Sequence, residues 1–409
     1  MSPIWEQIGE SAKTSLGFFW KAGWAFVLGY GVSAMVQAFV PKGRLTQYLG
    51  KPGFKSVSLA TGFGAISSSC SFAALSAARA VLQKGAHFAS VVAFMFASTN
   101  LVIELGVLIL IFLGWQFLLA EIVGGLLLIL ISTTLIRLFY PKEWIDAARD
   151  KLDEKMGEEA DFDWRKRIKS RKGWRRVGKA FVSEWQMVWQ EILLGFTIAG
   201  VMATFVPASF WKTLFLADYV EEGSLNLGVA TLNAMIAPFV AAATFIGSMG
   251  NIPLATVLNS GGVLFAGIMG FIYSDLMVPP LIRVNAKYYG WRIALYIAGI
   301  MFVSIVVTAL ILHVGFFYLD LTPKSGREIS DVTQFKIDYT FWMNLLAVGV
   351  VVVMIWLTKS KDKAAKGDTD DSHDHDHGGG GWSFQKVVTY ACLLFLTVGL
   401  VLFGISAAS

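Results

Sequence analysis

GFGAISSSCSFAALSAARAVLQKGAHFASVVAFMFASTNLVIELGVLIL, residues 62–110, and APFVAAATFIGSMGNIPLATVLNSGGVLFAGIMGFIYSDLMVPPLIRV, residues 237–284, follow one grammar. Each is an apolar run broken by small and polar residues: Ser67-Ser68-Ser69-Cys70-Ser71 in the first, Gly247-Ser248-Met249-Gly250-Asn251 in the second. Each resumes as a short apolar helix, turns at glycine (Gly85; Gly261-Gly262), and meets a second polar cluster, Ser98-Thr99-Asn100 or Ser274-Asp275. A long apolar segment closes each unit, at 115–139 and at 290–315. A helix broken inside a bilayer frees backbone N–H and C=O groups, which only protein or a water-filled cavity can receive. Matching interruptions in two halves are the pattern by which a chain announces a midplane binding site.

The rest of the sequence supplies the bilayer. Of 409 residues 55% are hydrophobic and 15% charged, with mean hydropathy +0.60; a soluble domain carries about a quarter charged residues. Apolar segments at 17–39, 57–82, 86–113, 115–139, 187–206, 227–247, 250–283, 290–315, 338–357 and 384–406 approach the ~20 residues that cross a ~30 Å hydrocarbon core. Tryptophans at segment edges, among them Trp20, Trp115, Trp291, Trp342 and Trp382, suit the headgroup zone. The expected fold is an all-α polytopic bundle of about eight to ten transmembrane helices, in two pseudo-symmetric repeats with broken or re-entrant helices. The N-terminus has no basic region before its first apolar run, so that run is read as a retained span.

Four regions follow from this pattern: a first repeat at 1–139, a basic linker at 140–186, a second repeat at 187–315, and a C-terminal extension at 316–409. The linker carries Arg165-Lys166-Arg167 and Arg175-Arg176 and is cytoplasmic by the positive-inside rule. Membrane topology explains that charge without nucleic acid as a partner, and the partner expected is the lipid bilayer itself. The extension has two apolar segments and, at 358–381, a low-complexity connector in which His373, His375 and His377 alternate with Asp374 and Asp376. Imidazole and carboxylate suit a borderline metal ion, but alternation along a low-complexity stretch does not define a closed site, and a solvated linker is the plainer reading.

The candidate substrate path is Ser67, Ser68, Ser69, Cys70 and Ser71 facing Gly247, Ser248, Gly250, Asn251 and Pro253, with Ser98 and Asn100 along it. Freed helix N-termini would offer N–H donors to an anion or polar solute. The plainer alternative is that such small residues serve helix packing. Asp275 and Glu104 are candidates for proton or cation coupling, since an acid at membrane depth needs a cavity, a partner or a proton. Glu121 falls nearer a predicted membrane edge. Cysteine usage, Cys70 and Cys392, gives no disulfide framework.

Residues 67–106 and 247–280 together resemble the predicted-permease family that includes the ArsP-type organoarsenical efflux permeases, over about residues 15–315. Many members carry Cys-Ser-Cys and a following proline in the first break. The matching run here is Ser68-Ser69-Cys70 with Ala74 in the proline's place, so one of the two thiols is present. Asn251-Ile252-Pro253-Leu254 is as the family has it. The resemblance implies export across a bacterial cytoplasmic membrane and leaves the substrate open.

The resulting expectation is a secondary-transporter-type permease exporting a small toxic or metabolic solute, such as an organoarsenical or soft metal, by alternating access with proton coupling. An ion or small-solute channel and a membrane subunit or scaffold of a larger complex are the rivals. No phosphate-binding GxxxxGK[ST] motif is present, no hydrolase signature is present, and neither catalysis nor a cofactor is expected. A homo-oligomer is compatible with the pattern.

Overall fold

The computed structural model describes residues 4–39, 53–67, 71–83, 85–152, 167–220, 224–244, 246–323, 329–359 and 384–408. Every regular element among them is helical. The first half contains α1 (Ile4–Phe39), α2 (Phe54–Ser67), α3 (Ser71–Gln83), α4 (Phe88–Asn100), α5 (Ile103–Phe112), α6 (Trp115–Leu138) and the amphipathic α7 (Lys142–Leu152). The second contains α8 (Arg171–Phe205), the short α9 (Ala208–Leu214), α10 (Leu227–Thr244), α11 (Ser248–Ser260), α12 (Phe265–Ile272), a 3-10 turn (Tyr273–Met277), α13 (Pro279–Tyr289) and α14 (Trp291–Tyr318). After α15 (Ile329–Val332) come α16 (Tyr339–Lys359) and α17 (Phe384–Ala408).

Among the described residues, eight helical segments are long and apolar enough to cross a bilayer, and nine if α4 and α5, bent by 42° at their junction, count as one. The protein is therefore a multi-pass membrane helix bundle. Its outer surface carries the lipid-facing stripes this requires: Leu119, Ile122, Leu126 and Leu130 on α6, Leu295, Val303 and Ile311 on α14, and Leu345, Val352 and Trp356 on α16 are all exposed.

The interruptions have local causes. Ser98 and Thr99 turn their hydroxyls back onto the carbonyls of Met95 and Phe96, a competition that bends helices, and α4 ends one residue later. In the second half Pro279 and Pro280 open α13 with Val278 held extended at φ −63°, ψ 140°, as a residue before proline must be. The chain meets this demand by tightening to a 3-10 turn. The corners correspond as well: Gly85 and Gly262 take φ +88° and +84°, and Gly114 and Gly290 take +106° and +87°, a region open to glycine without strain.

Lipid offers no hydrophobic drive between helices, so backbones must approach closely for packing to hold. In the first half Gly64 of α2 lies against the Phe94 carbonyl and Ala97 of α4; in the second Gly270 of α12 lies against Ala234 and Ala237 of α10. The long helices α1 and α8 run side by side and make the most extensive helix pair in the bundle. The apolar stretch 57–82 divides at the expected break into α2 and α3. One segment runs further than its hydropathy: α8 begins at Arg171, well inside the basic linker, and crosses the 186/187 boundary unbroken. No proline interrupts 171–205, so the helix continues through its charged end. The C-terminal helices α16 and α17 pack on α1 and α8.

Candidate functional site

The two interruptions meet. Ser71, first residue of α3, and Ser248, first residue of α11, lie with their hydroxyl oxygens 3.3 Å apart. Both are buried, at 2% and 6% exposure. Ser71 Oγ donates to Asp275 Oδ2 at 3.5 Å, and the backbone N–H of Leu276 donates to Asp275 Oδ1 at 2.8 Å. The hydroxyls of Ser248 and Thr99 also face this carboxylate. Asp275 is fully buried, and its position in the 3-10 turn is what aims it at two helix N-termini from opposite halves. An acid there is tolerable because hydroxyl and amide donors replace water around it.

Asn251 stands on the first turn of α11, fully buried, and among the described residues neither amide atom has a hydrogen-bond partner. Two residues on, Pro253 has no N–H for the Met249 carbonyl, so the first turn of α11 also carries a backbone acceptor released from its helix bond. In α4, Asn100 donates from Nδ2 to Phe96 O at 3.2 Å and to Thr99 Oγ1 at 3.1 Å, while its Oδ1 has no partner among the described residues. A buried polar group without a partner costs about 1–3 kcal/mol. Such unpaired amides, on the helices that carry Ser248 and Thr99 to Asp275, are what an unfilled polar binding site presents.

Not every candidate joins this cluster. Ser67, last residue of α2, donates to Gly64 O at 2.9 Å, and its carbonyl accepts from Ser33 of α1 at 3.3 Å. Ser98 spends its hydroxyl on Met95 O. Gly250 is a packing residue, its backbone pressed on Gly195 of α8. Glu104 is buried at 1% exposure, and its Cβ lies against Gly29 of α1. Ser68, Ser69, Cys70, His373, His375 and His377 lie outside the described residues. No group of three or more His, Cys, Asp or Glu among the described residues is arranged to hold a metal ion.

Three residues of this region were not singled out for the site in the sequence. Glu191 on α8 approaches the Gly247 break so closely that a Cβ on Gly247 would stand 2.6 Å from its carboxylate oxygen. Glu121 on α6 is buried at 1% exposure, not turned toward headgroups, with neither carboxylate oxygen hydrogen-bonded among the described residues. Both acids are near enough to Asp275 to interact with its charge. Tyr273, fully buried, donates from its hydroxyl to Ala120 O at 2.9 Å and so ties the 3-10 turn to α6.

Comparison with known proteins agrees with this architecture. No solved structure matches the chain. A relative from Mycobacterium tuberculosis, named "Putative permease Rv2963", is 36% identical over 321 residues, which cover 75% of this chain and 77% of the relative. Residues 7–314, which contain both interrupted repeats and stop short of α16 and α17, match the family model ArsP_1, described as "Predicted permease". The chain belongs to that permease family.

Proposed function

We propose that this protein is a carrier that exports a small solute across the bacterial cytoplasmic membrane by alternating access, with Asp275 as its coupling carboxylate. The observation that carries the reading is the convergence of Ser71 and Ser248, each opening a helix in a different half, on Asp275. A site shared by two halves changes its access when one half rocks against the other. A buried carboxylate held by hydroxyls can exchange a proton as those hydroxyls move. In one state Asp275 accepts the donors of α3 and α11; in the other it takes a proton and releases them to the solute. Asn251 and Asn100 supply orienting contacts. The solute class follows the family's name, an organoarsenical or related toxic compound.

The test uses the full chain in proteoliposomes with an imposed pH gradient and an organoarsenical, phenylarsonate, as probe. Wild-type protein should give saturable accumulation that follows the gradient. Asp275→Asn should keep solute exchange and lose its response to the gradient. Equal pH response in both proteins removes Asp275 from the mechanism, and flux that never saturates removes the carrier.

A further inference from the structure

The helices α3 and α13 touch at a second polar cluster that the transport cycle sketched above does not use. The Arg79 guanidinium stacks over the Tyr288 ring, with Cζ 4.9 Å from the centroid. A cation held over a ring face is attracted without spending its N–H donors, which stay available to fork onto a ligand. Among the described residues Arg79 Nε has no partner, nor does the Tyr289 hydroxyl or Asn285 Oδ1, and all three atoms are buried. Asn285 and Tyr289 are one helical turn apart on the buried face of α13, at 2% and 6% exposure. Tyr289 is close enough to Arg79 to interact with its charge.

The cluster has a place along the path. Arg79 lies eight residues beyond Ser71 on α3, roughly 12 Å along the helix axis. It points toward the end where α7 packs on α3 and α13, and where Arg149 of α7 donates to Ala86 O at 2.9 Å. Because α7 belongs to the basic stretch, this end faces the cytoplasm by the positive-inside rule. Arg283 and Lys287 are exposed on the other side of α13 and add positive potential at the entrance, which concentrates anions.

We infer that Arg79, Asn285 and Tyr289 form a cytoplasmic loading site for a singly protonated tetrahedral oxyacid, such as a phosphonate, a phosphate monoester or an arsonate. The donor and acceptor pattern selects this class. Arg79 Nε and the Tyr289 hydroxyl donate to anionic oxygens, and Asn285 Oδ1 accepts from the one remaining O–H. A carboxylate, a sulfonate or a phosphodiester has no O–H when ionised and leaves the Asn285 oxygen unmatched. The direction of loading rests on the carrier reading; the binding chemistry does not.

Equilibrium binding to the full chain in phosphatidylcholine nanodiscs tests this without transport. Phenylphosphonate, titrated at a pH where the monoanion dominates, should bind saturably and about tenfold more tightly than benzenesulfonate, its tetrahedral monoanionic counterpart without a proton. Dihexanoyl phosphatidylglycerol, the lipid phosphodiester, should compete no better than benzenesulfonate. Tyr289→Phe and Arg79→Gln should weaken both anions, whereas Asn285→Ala should remove only the preference for phenylphosphonate. Saturable, phosphonate-selective binding by a protein that shows no gradient-driven transport leaves the loading site standing and removes only the carrier, so a failed transport assay and a failed loading site are told apart. Equal binding of phosphonate and sulfonate, competition by the phosphodiester as strong as by phenylphosphonate, or a preference that survives Asn285→Ala in a protein with unchanged melting overturns the assignment.

Discussion

Gly195 and Gly250 bring the backbones of α8 and α11 together directly beneath Ser248, and one methyl group measures how much depends on that contact. A Cβ placed on Gly195 would lie 2.5 Å from Gly250 Cα, 2.9 Å from Ile246 Cγ2 and 3.1 Å from the Gly250 carbonyl carbon. Carbon atoms pack comfortably at about 3.5–4.0 Å, so Gly195→Ala must part the helices by about 1 Å. The two nearest obstacles include backbone, which cannot rotate away, and overpacking of this kind costs about 1–3 kcal/mol. The same displacement shifts Ser248, two residues before Gly250, out of register with Ser71, whose hydroxyl is 3.3 Å distant. The expected result is a loss of 1–3 kcal/mol in reversible unfolding in mixed micelles, with a fall in proteoliposome flux larger than the stability change explains. Gly299→Ala is the control: a Cβ there meets nothing within 4 Å, and alanine is the better helix former by up to about 1 kcal/mol. If Gly195→Ala matches wild type in both assays, the close approach does not position the site.

Tyr273→Phe removes the hydroxyl bonded to Ala120 O and should cost about 0.5–1.5 kcal/mol in the same unfolding assay; no loss would show that the tie to α6 does not bear on stability. His87 caps α4 by accepting from Ala89 N–H at 3.3 Å and stacks on Tyr140. Burial first, then Arg137 and Arg149, hold its imidazole below the usual 6.5. A depressed histidine favours the fold while neutral, so its contribution is present above pH 6.5 and lost as pH falls toward the lowered value. Hydrogen exchange at residues 88–91, corrected for intrinsic rate, should therefore quicken on going from pH 8 to about pH 5. The variant His87→Asn keeps a capping acceptor without the titration and should show no such change.

Much of this arrangement was legible because breaks in membrane helices need unusual residues. The small polar run at 67–71 separates α2 from α3, Gly247 and Ser248 open α11, and the clusters at 98–100 and 274–275 fall where α4 ends and the 3-10 turn sits. Each is a short-range conflict between side chain and helix, and such conflicts are local in sequence. What stayed hidden is long-range. Glu191 reads as one more charge at the end of a basic stretch. Only the pairing of α8 with α11 brings it to Gly247, and nothing in the residues between encodes that contact. Glu121 reads as a residue near a helix start because the pattern gives depth but not the direction of a side chain. Arg79 stands in the sequence as a lone cation in an apolar run, and only the pairing of α3 with α13 brings Tyr288 to it. Helix ends were misjudged for a related reason: hydropathy marks where the lipid stops, while α1 and α8 continue 36 and 35 residues in all, through charged turns that sit outside the apolar layer.

The two C-terminal helices lie outside the family match, yet they are fitted to the bundle at main-chain distance. A Cβ on Gly9 of α1 would stand 3.0 Å from the Phe403 nitrogen of α17, and one on Gly178 of α8 would stand 2.8 Å from the Met354 carbonyl oxygen of α16. Gly399 of α17 meets Ala12 of α1 as closely. The outer faces of the same two helices present Leu345, Val352, Leu394 and Val401 to the hydrocarbon, where one branched aliphatic serves as well as another. Mutational drift in this appendage therefore has a strong directional bias. Substitutions can accumulate freely on the lipid side, while Gly399 on the inward side of α17, like Gly9 and Gly178 on the helices the appendage docks against, leaves little or no room for a larger side chain.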